Sequence, residues 1–270
     1  MDNKKQYFRT DLAYEEFENE IHTDGYSYKK TNYGDIKCNH VKILDKENAF
    51  KRVVGDYIGI EFESIDFNKD ELIDVCVKQL DSLLPKSFNR VLVVGLGNKE
   101  VIADALGNEV CKQLFVNAHL HDEKQVAVIT PGVKGQTGLE TVSYVQSIVN
   151  LYKPDIVIAI DALATKDIKR LNRVIQITNT GIQPGSGIGN YQKSLDKSTL
   201  NVEVIAIGVS TVIDIVSIVS QIVDDMSDAM YQLIQEEYQL TLTPKEMDYE
   251  LLSLTHILSK VINTVLFANI

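Results

Sequence analysis

The chain has 270 residues, 44% of them hydrophobic, which excludes a disordered protein and is enough for one large core. Its formal net charge of -11 argues against a surface that tracks nucleic-acid phosphates, so no direct nucleic-acid partner is expected. The cysteines, Cys38, Cys76 and Cys111, form no C-x-x-C pair, so neither a disulfide framework nor a cysteine zinc site is suggested and a reducing cytoplasm is the expected home.

In chain order, residues 1–37 are polar with weak periodicity and read as a loosely attached arm. Residues 40–44 and 57–62 read as a strand pair, and Leu72, Ile73, Cys76, Leu80 and Leu83 mark one face of a helix over 68–84, stopped by Pro85. Val91 to Gly95 is a strand buried on both faces, followed by a turn and a helical pattern from about Asp104 to Val116. A strand over 125–130, a glycine-bearing loop and a helix over 139–151 come next. The second apolar strand, 155–161, ends at Asp161; a short helical segment over 166–171 and a strand over 174–178 follow. After a glycine-rich stretch over 181–189 come a strand over 202–209, a long helix expected from Thr211 to about Tyr238, and a last helix with Pro244 at its first position. No apolar run reaches the roughly 18 residues needed to span a bilayer, and the amino terminus carries no apolar export segment, so no membrane association is expected. The alternation of strand and helix predicts a three-layer α/β/α sandwich around a mostly parallel or mixed sheet, with residues 38–270 as a single domain.

Two carboxylates follow the two most apolar strands. In open α/β sheets ligands bind beyond the carboxyl ends of strands, which favours a site built from Asp104 and Asp161. Asp104 also reads as a helix N-cap, and Asp161 as a cap for the residues after it. If the two approach closely, one keeps a proton while the other stays charged, a pairing suited to base and acid roles in hydrolysis. The alternative is a divalent cation held by carboxylate and imidazole, although the close pair His119 and His121 reads as solvated.

Gly95-x-Gly97 is short of a dinucleotide fingerprint, because the third glycine falls at Glu100. Ser186 sits between Gly185 and Gly187, but Pro184 and Ile188 stand where a nucleophile elbow needs glycine. That loop reads instead as a lining of the substrate cleft. Asn179-Thr180-Gly181 is similar to the D-T-G of pepsin-like proteases only superficially, since asparagine is no carboxylate.

Gly95-Leu-Gly97-Asn98 with Asp104-Ala-Leu-Gly107, Pro131-Gly-Val, Thr137-Gly138-Leu-Glu140-Thr141, Ala159-Ile-Asp161-Ala-Leu-Ala164, Thr180-Gly181-Ile, Pro184-Gly-Ser-Gly187 and Val204-Ile-Ala-Ile-Gly208 together resemble the spore germination protease family. The first of these motifs alone is also similar to the hydrogenase maturation endopeptidases, whose acidic residues bind nickel. The resemblance implies an atypical aspartic-type endopeptidase that degrades small acid-soluble spore proteins in the cytoplasm of the germinating spore, needs no cofactor or metal, and assembles as a homotetramer. It implies Asp104 and Asp161 as the catalytic pair, with Gly95, Gly97, Asn98, Gly181, Gly185 and Ser186 lining the substrate site. It further implies a zymogen that removes a propeptide of about residues 1–11 by self-cleavage between Asp11 and Leu12, within Arg9-Thr10-Asp11-Leu12-Ala13.

The chain departs from the family pattern at Asn179, Gln183 and Ala103, where Asp, His and Pro are expected, and it is shorter before Thr243-Pro244. A metal-dependent maturation endopeptidase and a catalytically silent binding protein on the same fold are the competing readings.

Overall fold

The apolar runs form the centre of one mixed sheet. The computed structural model describes residues 10–17, 25–48, 52–66, 69–120, 123–185, 193–223 and 226–267. In chain order the elements are β1 (Tyr26–Tyr33), β2 (Ile36–Ile43), β3 (Gly55–Glu61), α1 (Lys69–Leu83), β4 (Arg90–Gly95), α2 (Leu106–Lys112), β5 (Gln125–Ile129), α3 (Lys134–Thr137) and α4 (Thr141–Tyr152). They continue as β6 (Ile156–Thr165), β7 (Val174–Thr178), α5 (Lys197–Leu200), β8 (Glu203–Asp214), α6 (Ile215–Ile222), α7 (Asp228–Glu237), β9 (Thr241–Leu242) and α8 (Met247–Phe267).

The strand order is β1-β2-β3-β7-β8-β6-β4-β5, with β9 paired to β8. β5, β4, β6 and β8 run parallel, whereas β7, β3, β2 and β1 continue the sheet antiparallel. The central parallel strands β4 and β6 are buried on both faces, which is why Val91–Val94 and Ile156–Ile160 carry no polar alternation. One face is covered by α1, α2 and α8, whose Leu72, Cys76, Leu106, Val110, Leu254 and Leu258 pack on Val93, Ile158, Ile160 and Ile207. On the other face, Val142, Val145 and Val149 of α4 pack on Leu92, Val94, Val157 and Ala159. Beside them Leu12, Ala13, Tyr14 and Phe17 cover Val41, Ile43, Tyr57, Leu163 and Val174.

Four expectations need correction. Residues 25–37 are not an arm: β1 is a full antiparallel partner of β2, and residues 10–17 are docked with Leu12, Ala13 and Tyr14 buried. The docking works because Gly59 in β3 has no side chain; a Cβ there would lie 2.4 Å from the Tyr14 ring. The strand holding Asp161 does not end there but runs to Thr165, paired to β8 through a register shift between Leu163 and Ala164. Thr211 starts no helix. It lies inside β8, buried, and the helix begins at Ile215, where the Asp214 side chain accepts the Ser217 N–H at 2.8 Å. What reads as one long helix is two, α6 and α7. Pro244 precedes α8 rather than opening it. By length and composition α8 is apolar enough to cross a membrane, but Leu251, Leu254, Ile257, Leu258, Val261 and Ile262 are spent on the core.

Candidate active site

The site is built where β4 ends beside the middle of β6. Gly95 lies opposite Ile160, and the Leu96 N–H donates to the Ile160 carbonyl at 2.8 Å. The chain then turns at Gly97, whose φ of +95° is open to glycine and strained for other residues. It returns through a 3-10 turn, Ile102–Asp104, and the Asp104 Oδ2 accepts the Asn98 N–H at 2.6 Å. Asp104 is therefore no helix cap; Ala105 holds that position on α2 and makes no side-chain cap bond.

The turn is held from several sides. Asn98 Oδ1 accepts the Glu100 N–H at 3.0 Å and Gln136 Nε2 at 2.6 Å. Asn108 Nδ2 donates to the carbonyls of Leu96 at 3.2 Å and Gly97 at 3.1 Å. Thr211 Oγ1, from inside β8, donates to the Ala103 carbonyl at 2.7 Å. The Asn108 and Thr211 bonds satisfy buried or half-buried polar groups, and together these contacts leave Asp104 little freedom.

Asp161 is 5% exposed, and its Oδ1 accepts the Ala162 N–H at 2.9 Å. Burial pushes its carboxyl well above the ordinary carboxylate range; the neighbouring Asp104 charge and, more weakly, that of Asp11 push it further, against the Ala162 bond. Asp104 is also raised by burial, an effect countered by the Asn98 N–H. The pair thus favours one proton held on Asp161 and a charge on Asp104.

The amino-terminal segment lies across the same face. The Asp11 N–H donates to the Ala164 carbonyl at 2.9 Å and the Ala164 N–H to Asp11 Oδ2 at 2.8 Å, tying Asp11 to β6 just beyond Asp161. Gln176 of β7 donates through Nε2 to the Asp11 carbonyl at 2.9 Å and accepts the Ala13 N–H on Oε1 at 2.7 Å. Arg52 Nη1 reaches the Asp11 carbonyl at 3.4 Å, Nη2 the Thr10 carbonyl at 3.2 Å, and Nε bonds Glu16 at 2.8 Å. The buried Glu15 carboxylate accepts Thr165 Oγ1 at 2.6 Å, the Lys166 N–H at 3.1 Å and Arg170 Nη1 at 3.3 Å, and also bonds the Thr10 hydroxyl.

Of the residues singled out in the sequence, Gly97, Asn98 and Asp104 touch one another, and Asp161 lies near enough to feel the charges of Asp104 and Asp11. Gly95 serves packing: a Cβ there would fall 2.3 Å from the Gly107 carbonyl oxygen, so α2 can approach β4 only because Gly95 is bare. Gly181, at φ +83°, faces Leu195 and Asp196, and the next residue, Ile182, bridges to Leu195. Gly185 adopts φ +73°, while Ser186 and His121 lie outside the described residues. His119 sits in a separate 3-10 turn, Ala118–Leu120. Asn179 accepts the Asp56 N–H at 2.8 Å and donates to Asp56 Oδ2 at 3.2 Å, at the β3 side of the sheet. Among the described residues no three His, Cys, Asp or Glu side chains are grouped as metal ligands.

Sequence reasoning missed Gln176, Arg52 and Glu15. Gln176 alone left a trace, as a polar residue amid the apolar Val174-Ile175-Gln176-Ile177.

A carboxylate pair on an α/β sandwich, Asp161 buried and Asp104 half-buried, is of a kind that hydrolases use, and known proteins narrow the class. The model of the family described as "Germination protease" matches residues 4–239. The germination protease of Caldanaerobacter subterraneus subsp. tengcongensis is 38% identical over 96% of this chain and 94% of its own length. That of Clostridium tetani is 34% identical over 96% of this chain and 95% of its own. Among solved structures, the [NiFe] hydrogenase maturation protease HycI of Thermococcus kodakarensis aligns with a TM-score of 0.41 and 16% identity, covering 70% of this chain and 98% of that one. The chain belongs to the germination protease family and is an endopeptidase.

Proposed function

We propose that this endopeptidase hydrolyses peptide bonds with Asp104 as general base and Asp161 as general acid. The observation that carries the reading is the pair itself: Asp161 is buried, and burial together with the charge on Asp104 pushes its carboxyl well above the ordinary range. The Asp104 carboxylate takes a proton from water as its oxygen adds to the carbonyl carbon. The Asp161 carboxyl then gives its proton to the departing amine as the C–N bond breaks. A proton passed from Asp104 to Asp161 restores the starting state.

The first substrate is the chain's own Asp11–Leu12 bond, which makes the full-length protein a self-processing zymogen. The docking of Asp11 on β6 beside Asp161 supports this assignment. Small acid-soluble spore proteins are the proposed substrates of the processed enzyme, in the spore core, with a homotetramer as the assembly; membership of the germination protease family supports these points.

The test incubates purified full-length protein, reads its new amino terminus, and then supplies a small acid-soluble spore protein. Wild type, Asp104→Asn and Asp161→Asn are compared with and without chelator. Folded but inactive variants and an indifferent chelator are the expected result. Normal cleavage by either variant would sink the reading, and loss of wild-type activity to chelator would replace it with a metal-dependent one.

A further inference from the structure

We infer that Gln176 and Arg52 form the carbonyl-binding site of the self-cleavage reaction, polarising the Asp11 carbonyl and holding the oxyanion that forms when water adds to it. The inference rests on the Asp11–Leu12 assignment above.

The geometry begins with the sheet register. Gly59, Gln176, Gly208 and Asp161 stand opposite one another on β3, β7, β8 and β6, and therefore on one face. The glycines on either side of Gln176 are covered by neighbouring side chains, Gly59 by the Tyr14 ring and Gly208 by Leu163, and Leu12, Ala13 and Tyr14 pack in the same cluster as Leu163. Asp161 and Gln176 are two strand spacings apart, about 10 Å between backbones, with the Leu163 side chain over the Gly208 between them.

Gln176 reads both flanks of the scissile bond. Its amide nitrogen donates to the carbonyl before the bond, at 2.9 Å, and its amide oxygen accepts the N–H of Ala13, at 2.7 Å. The two bonds fix the amide's orientation, because a flipped amide would set donor against donor and acceptor against acceptor. Arg52 brings a second, charged donor to the same Asp11 oxygen at 3.4 Å, held there by Glu16 and the Thr10 carbonyl. Anchoring the segment needs one donor on that oxygen. Two donors converging on the carbonyl of the bond to be cut is the arrangement that stabilises a tetrahedral oxyanion, and contacts that are long at rest tighten as charge develops.

The chemistry balances with water alone. The water oxygen bonds to the Asp11 carbonyl carbon, and the π pair moves onto the carbonyl oxygen facing Gln176 Nε2 and Arg52 Nη1. When that pair returns, the C–N bond to Leu12 breaks and Leu12 leaves as an amine carrying the proton from Asp161. No oxidant or further group takes part.

The experiment follows self-cleavage of the full-length chain in wild type, Asp161→Asn, Gln176→Glu, Gln176→Met and Arg52→Met, with hydrogen exchange at the Ala13 amide as the measure of docking. Gln176→Glu keeps the acceptor for Ala13 but loses the donor to Asp11, so cleavage at neutral pH is expected to fall about 10²- to 10³-fold with Ala13 still protected. As pH falls and the introduced carboxyl gains a proton, it regains a donor, and the ratio of variant to wild-type rate is expected to rise. The charged groups bearing on that proton are Asp161, Asp11 and Arg52. Gln176→Met is expected to be slow at every pH, and Arg52→Met slower than wild type. If wild type does not cut at Asp11–Leu12, or Asp161→Asn still cuts, the underlying reading fails and the inference with it. If those controls behave but Gln176→Glu cuts at the wild-type rate, or slows only in proportion to lost Ala13 protection, or shows a flat pH ratio, the carbonyl-binding role alone is overturned.

Discussion

Gly97 and Asp104 are packed so closely that a Cβ on Gly97 would lie 1.9 Å from the Asp104 carbonyl oxygen and 3.0 Å from its Oδ1. The turn that aims the carboxylate thus requires a bare α-carbon as well as a positive φ. Gly97→Ala is expected to cost about 2–3 kcal/mol through backbone strain and overlap. Activity is expected to fall further, by about 10²-fold or more, because Asp104 is pushed off its line to Asp161. Denaturant titration and a cleavage assay on the same preparation measure the two losses separately.

Cleavage is expected to show a bell-shaped pH profile. The acid limb reports protonation of Asp104, the base, and the alkaline limb loss of the proton from Asp161, which burial and Asp104 raise well above the ordinary carboxylate range. Asp11 adds to that rise, so Asp11→Asn is expected to move the alkaline limb of the full-length chain to lower pH. Initial rates across a pH series check both limbs.

The same group makes stability fall as pH rises. Unfolded, Asp161 ionises near pH 4; folded, it keeps its proton to a much higher pH, so between the two the unfolded chain binds fewer protons. Each pH unit in that window removes about 1.4 kcal/mol, and the loss stops once the folded carboxyl also ionises. Asp161→Asn keeps an acceptor for Ala162 without the ionisation, and is expected to raise Tm at neutral pH by roughly 3–5 °C for every pH unit of the window it abolishes. Calorimetry at pH 4.5 and 7 gives the comparison; an equal Tm difference at both values would contradict it.

The docked segment hangs on Glu15, whose side chain is fully buried against Arg170, Thr165 and Lys166. Removing one partner of a buried ion pair costs about 3–5 kcal/mol, so Glu15→Ala is expected to release residues 10–17 while the sheet persists. Gly59→Ala is expected to act in the same direction by striking Tyr14. Limited proteolysis should then cut within the segment long before global unfolding, and self-cleavage should slow.

The thiols are expected to be inert in the native state. Burial pushes Cys38 up to about 11 and Cys111 to about 12, and raises Cys76 too. A thiol reagent at pH 8 should label all three only as fast as the chain opens, and rapid labelling of any one would contradict the burial.

Much of the architecture was legible along the chain because it rests on local periodicity. β7 matches its expected span residue for residue, and α1 and α4 fall within a few residues of theirs. The errors came where long-range pairing overrode a local pattern. Val212 and Ile213 continue β8 because Ala164 and Thr165 of β6 pair with them, and Tyr26–Tyr33 becomes β1 because β2 offers an edge.

The sequence by itself determined which carboxylates follow the apolar runs, that two bare residues flank Leu96, and that a family of proteases shares the ordered motifs. These follow from side-chain type and short-range order, which the chain carries in full. Only the tertiary structure decided that Asp161 is buried enough to hold a proton beside Asp104, and that Gln176 and Arg52, far apart in the chain, converge on the Asp11 carbonyl. Desolvation and hydrogen-bond geometry depend on what lies within a few ångströms in space, and in a mixed sheet those neighbours come from strands distant in sequence.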